Sequence, residues 1–518
     1  SGAYHDAMTL DHDAAYRVLT THDARFDGRL FVGVTSTGIY CRPVCRVRVP
    51  KQANCRFFGH AAAAEAQGFR PCLRCRPEQA PGLSLVDSSQ VLAQQAAVML
   101  SQAAHEGHDP SLPELAARLG VTDRHLRRIF AQVHGVSPLD YLTTQRLLLT
   151  KQLLTDTALP ITQVALAAGF GSLRRFNTVF AERYRMSPSA LRREASEATP
   201  STQATTVRLA WRPPYDAEGV MGFFQRRAVT GVEQVQGNTL RRTLALTASG
   251  QALVGWIAVE LQPEHHRVAL SVSPELLPAL AALLARTRQA LDLDADPAQI
   301  DPVLASVPGP VRAGVRLPSG FDGFEMAVRV ILGQQVTVAA ARTLTQRLVE
   351  RFGPTLTTPF EGLNRLFPDA ATLAGASAES IGTLGIVRQR VGALQALAAA
   401  VAEGRIQLHR AAPLQATMKA LQALPGIGPW SAQLIAMRAL AWPDAWPASD
   451  IGILKALGTR DVQAATDQAE TWRPWRAYAV MRLWLSLADE LVPAAAPAPS
   501  PKSPRRKPSA AAATLDPQ

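Results

Sequence analysis

Four of the five cysteines fall in two close pairs, Cys41-x3-Cys45 and Cys72-x2-Cys75, and arginines crowd both. Two short pairs brought together by a folded insert supply four thiolates for one tetrahedral Zn2+ ion. Most closed sites of this kind only clasp the fold, so a structural role is the plain reading of the spacing. A zinc-bound thiolate nevertheless stays deprotonated and nucleophilic at neutral pH, and nearby arginines would draw a phosphate to it. Cys55 lacks ligand spacing and reads as a small buried residue.

These residues need a scaffold, and composition bounds it. The chain has 518 residues, 47% of them hydrophobic, enough for about three to five cored domains. Its formal charge is +12 and its pI about 9.9, carried mainly by arginine, which suits bidentate contacts to phosphates and base edges. A generally basic soluble protein is the alternative. No run of about eighteen apolar residues occurs, and Ser1 to Leu10 has no charged start followed by an apolar core. We therefore expect no membrane partner and no export, and zinc-spaced thiols then argue for the reducing cytoplasm. Residues 78–90 and Glu194 to Thr206 have linker compositions. Residues 493–518 read as a disordered tail, whose basic knot from Lys502 to Lys507 either touches DNA non-specifically or is merely solvated.

Between Ser111 and Glu194 the sequence repeats itself. Glu114 to Gly120 recurs as Gln163 to Gly169, and Phe130 with Ser137-Pro138 recurs as Phe180 with Ser187-Pro188. Each copy reads as helix, glycine turn, helix. Leu126, Ile129 and Phe130, and in the second copy Phe176, Val179 and Phe180, share one face. The other face keeps Arg124, Arg127 and Arg128, and then Arg174, Arg175 and Asn177. A solvated charged face is the usual meaning of such a pattern, but a helix-turn-helix lays its second helix in the major groove, where arginine reads guanine and asparagine reads adenine. Two such units predict an operator with two short blocks about ten base pairs apart.

The segment Thr37 to Arg48 followed by Gly68 to Cys75 resembles the amino-terminal domain of the adaptive-response protein Ada, over about Asp13 to Pro77. That resemblance implies that Cys41 removes a methyl group from a methylated DNA phosphate, with Arg48 and Arg70 at the phosphate. Transfer would turn a thiolate into a thioether and take one negative charge from the centre. One charge at a few ångströms is worth on the order of a few kcal/mol at intermediate dielectric, enough to raise DNA affinity about ten- to a hundredfold. Because a thioether is a poor leaving group, the reaction should be stoichiometric. The repeat resembles the AraC-type DNA-binding domain that comes next in Ada, which implies an activator and RNA polymerase as a partner. Ada continues with a second acceptor cysteine, but no cysteine occurs after Cys75 here, so O6-methylguanine reversal is not expected of this polypeptide.

In its place the stretch from Leu209-Ala210-Trp211 through the alternating runs Ala252 to Leu261 and Arg267 to Ser273 resembles the amino-terminal domain of AlkA-type 3-methyladenine DNA glycosylases. Phe324 to Val336 resembles that family's groove-facing helix, and Leu424 to Trp430 its helix-hairpin-helix, in which Gly426 and Gly428 let backbone amides approach a phosphate and carbonyls hold a monovalent cation. About twenty residues on stands Asp450, which the resemblance makes the catalytic carboxylate. It would stabilise an oxocarbenium-like sugar; its place before Ile451 also makes it a helix N-cap, and the two roles are compatible. Trp430 and Trp484 match pocket aromatics that hold a flipped cationic base, although tryptophans in helices are more often core. Bifunctional relatives carry a lysine just after the hairpin; Pro429 to Ala432 contains none, so strand cutting is not expected, and Lys455 reads as solvent-facing or phosphate-binding. The family's pocket tyrosine is Leu434 here, and its wedge leucine is Gln335, placed at the DNA.

The expectation is a multidomain α+β chain in five stretches: a zinc domain at 5–80, an all-α double helix-turn-helix at 88–196, a small α/β sheet domain at 207–300, an all-α helix-hairpin-helix domain at 301–492, and the tail. It would act as a monomer on double-stranded DNA, both alkylated and promoter. A regulator that keeps an inactive glycosylase half as a DNA-binding scaffold is the competing reading.

Overall fold

The computed structural model describes residues 11–23, 26–45, 47–77, 88–106, 110–194, 205–248 and 251–491. The tail at 493–518, and most of the two linkers, lie outside the described residues. Composition extends the first linker through Gln90, yet Ser88–Gln90 already form the first turn of a helix. Asp and Ser are loop formers and helix starters alike, so composition alone misplaces that joint.

The first unit contains helix α1 (His12–Thr20), strands β1 (Phe31–Val34), β2 (Ile39–Cys41) and β3 (Cys55–Phe58), helix α2 (Ala61–Ala66) and the short strand β4 (Arg70–Pro71). The sheet order is β3-β1-β2-β4. β2 and β4 run parallel, with Tyr40 opposite Pro71, so Cys41 and Cys72 leave neighbouring strands in the same direction. The amide of Cys72 donates to the Tyr40 carbonyl at 3.0 Å.

The second unit is helical: α3 (Ser88–Glu106), α4 (Leu112–Arg118), α5 (Asp123–His134), α6 (Pro138–Asp156), α7 (Ile161–Ala167), α8 (Leu173–Tyr184) and α9 (Pro188–Glu194). The repeated serines are their punctuation. The Ser137 hydroxyl accepts from the Asp140 amide and Ser187 from the Ala190 amide, opening α6 and α9, while Ser111 and Glu114 form a reciprocal capping box on α4. The 19-residue α6 is the spine shared by both helix pairs.

Strand β5 (Thr205–Ala210), helix α10 (Ala217–Arg227), strands β6 (Glu233–Gln236), β7 (Thr239–Ala248), β8 (Gln251–Gln262) and β9 (Arg267–Val272), and helix α11 (Leu280–Ala290) make the third unit. Its antiparallel sheet has the order β5-β9-β8-β7-β6. The fourth unit is built of helices: α12 (Pro297–Leu304), α13 (Gly323–Leu332), α14 (Val338–Phe352), α15 (Ala370–Gly375), α16 (Ala378–Gly382), α17 (Arg388–Ala402), α18 (Leu414–Gln422), α19 (Pro429–Ala439), α20 (Ile451–Ala456), α21 (Val462–Ala469) and α22 (Arg476–Leu491).

One apolar core runs without a break from Leu147 on α6 through the five-stranded sheet to Leu483 on α22. Polar contacts reinforce the joints. Gln152 of α6 donates to the Arg208 carbonyl of β5 at 2.9 Å, and Arg29 of the first unit pairs with Asp296 at 3.0 Å. The sheet is fixed to α13 by a buried four-residue network. Arg242 binds Glu233 and Glu325 at 2.9 and 2.7 Å, and Arg329 binds the same two carboxylates at 2.8 and 2.7 Å. Burial pushes the Glu325 carboxyl up, but the two guanidiniums more than offset it and hold the group below the usual range. Removing one member leaves a buried cation undercompensated, so Glu325→Ala is expected to cost about 3–5 kcal/mol and to lower the denaturant midpoint followed by tryptophan fluorescence.

Candidate functional site

The four clustered cysteines meet at the open end of the small sheet. Cys41, Cys45 and Cys72 are buried, Cys75 is half-buried, and all four sulfurs lie within 4.8 Å of one another. A tetrahedron with Zn–S bonds of about 2.3 Å needs sulfurs about 3.8 Å apart, so the cluster fits zinc with little movement. The donor chemistry fits too. Without a cation the four thiols cannot ionise together: hydrogen bonding with Cys45 and Cys72 drives Cys41 far above the usual thiol range, while hydrogen bonds from Cys41 and Cys45 drive Cys72 far below it. A divalent cation removes that conflict and lets all four be thiolates.

The residues flanking Cys41 are fixed. The Arg42 amide donates to Cys75 Sγ at 3.3 Å, its Nη1 to the Cys75 carbonyl at 3.2 Å, and its Nε to Asp27 Oδ1 at 2.8 Å, with a second bond between Nη2 and Oδ2. Arg48 is exposed and Arg70 half-buried on β4, and neither forms an ion pair with another described residue. Cys55 lies outside the cluster, buried against Leu19 and Val32.

On the helix pairs, Leu126, Ile129 and Phe130 of α5 are buried, as are Phe176 and Phe180 of α8 with Val179 half-buried, whereas Arg124, Arg127, Arg128, Arg174, Arg175 and Asn177 are exposed. Each second helix therefore turns its cationic face to solvent. Arg127 makes only a 4.0 Å contact with Asp123, and such exposed pairs hold a side chain weakly.

In the helical unit three separate stretches converge on Asp450. It is the N-cap of α20, its Oδ1 accepting from the Ile453 amide at 3.0 Å. The Trp484 indole on α22 donates to the same oxygen at 3.0 Å, and the Trp430 indole, in the first turn of α19, donates to Oδ2 at 3.1 Å. Both carboxylate oxygens thus accept from neutral donors. Just before Trp430 comes the hairpin. Gly426 has φ +75°, and a Cβ there would come within 2.9 Å of the Ala393 Cβ, so both conformation and close approach require glycine. Lys455 is exposed, Leu434 is buried on the same helix as Trp430, and Ile451, next to the carboxylate, is 81% exposed.

Two features had no local sequence signal strong enough to single them out. Gln334 Nε2 donates to the Gly426 carbonyl and to Ser431 Oγ, both at 2.8 Å, tying the loop after α13 to the hairpin. The next residue, Gln335, is exposed with φ +54°, so the anchored loop holds it out in the left-handed region. Arg438 of α19 is buried without a carboxylate partner among the described residues, stacked on Phe223 at 4.5 Å and near Trp484 at 5.5 Å; burial holds it well below the usual guanidinium range. Phe223 comes from α10 of the sheet unit, too far along the chain for any motif to connect the two.

A thiolate metal centre, paired helix-turn-helices and a helix-hairpin-helix with a clasped aspartate together define a multidomain DNA-binding repair protein. Four families match in succession: the metal binding domain of Ada at 14–78, a helix-turn-helix domain at 115–194, the AlkA N-terminal domain at 206–322, and the HhH-GPD superfamily base excision DNA repair protein at 328–471. Along 494 residues the chain is 38% identical to the probable bifunctional transcriptional activator/DNA repair enzyme AlkA of Mycobacterium tuberculosis, covering 93% of this chain and 97% of that one. It is 34% identical over 276 residues to DNA-3-methyladenine glycosylase 2 of Escherichia coli, covering 53% of this chain and 95% of that one. Over 137 residues it is 31% identical to the bifunctional transcriptional activator/DNA repair enzyme Ada of Escherichia coli, covering 26% of this chain and 35% of that one. The chain belongs to the family of bifunctional transcriptional activator/DNA repair enzymes, and its four clustered cysteines are a zinc site of the Ada type.

Among the described residues no helix is long and apolar enough to cross a membrane. Zinc is expected at one per chain. Stripping it with a chelator should unfold the small sheet unit, because the metal–thiolate bonds supply much of its folding free energy, while tryptophan fluorescence from the Asp450 region stays native.

Proposed function

We propose that the chain senses methylated DNA backbone through Cys41, activates alkylation-response promoters through α5 and α8, and excises alkylated purines through Asp450. It does so in the cytoplasm, as a monomer on double-stranded DNA, with RNA polymerase as the partner of the activated state. The relatives' names, which describe transcriptional activation, DNA repair and a 3-methyladenine glycosylase, agree with this reading.

When bound, zinc keeps the cysteine sulfurs ionised at neutral pH. Arg48 and Arg70 draw the methylated phosphate in. The Cys41 sulfur attacks the methyl carbon, an S–C bond forms, the O–C bond breaks, and the phosphate leaves as an ordinary diester anion. The product is a neutral thioether, which weakens repulsion from DNA and is not reversed. Arg124, Arg127 and Arg128, and Arg174, Arg175 and Asn177, then read two successive stretches of major groove.

Base removal uses one carboxylate. Gly426 and Gly428 seat a phosphate, with room for a monovalent cation on the hairpin carbonyls, and Gln335 fills the gap left by the flipped nucleotide. Trp430 and Trp484 offer their faces to a base made cationic by alkylation. The N-glycosidic bond breaks, its electrons go to the base, and the base leaves neutral. The Asp450 carboxylate faces the oxocarbenium-like sugar; water adds to C1′ and loses its proton to the carboxylate or to solvent. Ser431 stands near the place where a lysine would form a Schiff base, so the strand stays uncut.

The carrying observation is the Asp450 carboxylate held between two indole donors beside the hairpin. With methylated duplex DNA, the parent should release free 3-methyladenine or 7-methylguanine and leave intact abasic strands. Asp450→Asn should slow release by roughly a hundredfold or more, whereas Cys41→Ser should keep release and lose methyl uptake. No release from a folded, DNA-binding parent would favour the regulator whose second half is only a scaffold.

A further inference from the structure

Helix α2 is Ala61-Ala62-Ala63-Ala64-Glu65-Ala66. Its one long side chain, Glu65, is buried between the metal-binding unit and the helix-turn-helix unit. Tyr40, the residue before Cys41, is fully buried and donates its phenol to Glu65 Oε1 at 3.0 Å. The other oxygen, Oε2, accepts from Thr144 Oγ1 of α6 at 3.1 Å. Burial pushes the Glu65 carboxyl up to about 7, against Tyr40, Thr144, the Arg183 charge and the Tyr184 phenol, which favour its ionised form. An apolar side chain would fill this space without desolvating an acid, so packing alone does not account for a carboxylate here.

The consequence is a polar path with few links. Cys41 ends β2, Tyr40 precedes it in the same strand, and Glu65 joins Tyr40 to the spine helix α6, whose Asp140 holds Arg183 of α8, the second groove-reading helix, at 2.7 Å. Nearby His60 and His134 add no charge to this junction, because burial holds them down at about 3 and about 4.

We infer that Glu65 is a positioning residue of the methyl response: it passes a displacement of the Tyr40–Cys41 strand end to α6 and α8, so that methylation of Cys41 changes how the second recognition helix is held. This rests on the proposed reading of Cys41 as methyl acceptor. Loss of one thiolate loosens the grip on the end of β2, the phenol of Tyr40 moves with it, and Glu65 carries the shift to α6 and, through Asp140 and Arg183, to α8.

The test uses the full chain with zinc bound and a duplex that the methylated parent selects from a random-sequence pool. Methyl uptake from methylphosphotriester DNA is counted, and affinity for the selected duplex is measured before and after uptake. The parent should gain about ten- to a hundredfold. Glu65→Ala and Tyr40→Phe should keep zinc and methyl uptake and bind the duplex as the unmethylated parent does, yet gain at least about threefold less than the parent on methylation, keeping only the part that the lost charge supplies. Glu65→Gln, which can still accept from Tyr40 and donate to Thr144, should restore most of the gain. A full gain in Tyr40→Phe and Glu65→Ala overturns the inference while leaving Cys41's role intact. If Glu65→Ala loses zinc, Tyr40→Phe, which removes only a hydroxyl, decides alone. A parent that takes up no methyl group overturns the acceptor reading and this inference together.

Discussion

A carboxylate held by neutral donors is the contact on which the repair half of the chain is organised. Asp450 is bound by two indole N–H groups and one helix amide. In the proposed reaction a salt bridge would cancel the field that a cationic sugar needs, whereas neutral donors fix the carboxylate without opposing it. That requirement explains much of the surrounding architecture. Trp430 reaches Asp450 because the hairpin, closed by Gly426, starts α19 at the right place. Trp484 reaches it from α22, supported beneath by Arg438 and Phe223. The sheet unit thereby enters the site's support, and the Glu233–Arg242–Glu325–Arg329 network keeps it there.

The zinc unit is joined to the remainder by residues that each serve two contacts. The Asp27 side chain clamps Arg42, next to Cys41, while the Asp27 carbonyl accepts from buried Arg212 of the sheet unit at 2.8 Å. Arg316 in turn donates to the Arg212 carbonyl at 2.6 Å. The two chain neighbours of Cys41 therefore lead to two different units: Tyr40 through Glu65 to α6, and Arg42 through Asp27 to Arg212 of the sheet unit. On the proposed reading, a methyl group on Cys41 would lie one residue from both paths.

Much of this was legible in the residues because the relevant signals are local. Cysteine spacing needs only a turn, the repeated Ser-Pro pairs are helix caps, and Asp450 carries the pattern of an N-cap in its own sequence. Long-range partners were not legible. Trp430 and Trp484 could be read as base platforms or as core, and nothing in their periodicity says that both indoles point their N–H groups at one carboxylate. Gln334 looks like half of a polar pair until the hairpin is folded against it. Nothing local marks Glu65, alone in an alanine helix, as buried; the docking of α2 onto α6 turns it inward.

The central claim, that Asp450 acts through its charge on a cationic sugar, is tested most directly by comparing duplexes carrying a cationic pyrrolidine and a neutral tetrahydrofuran in place of the damaged nucleoside. The parent should bind the cationic duplex at least about tenfold more tightly, and Asp450→Asn should lose that preference while still binding the neutral duplex. Equal affinity of the parent for the two duplexes would contradict the account.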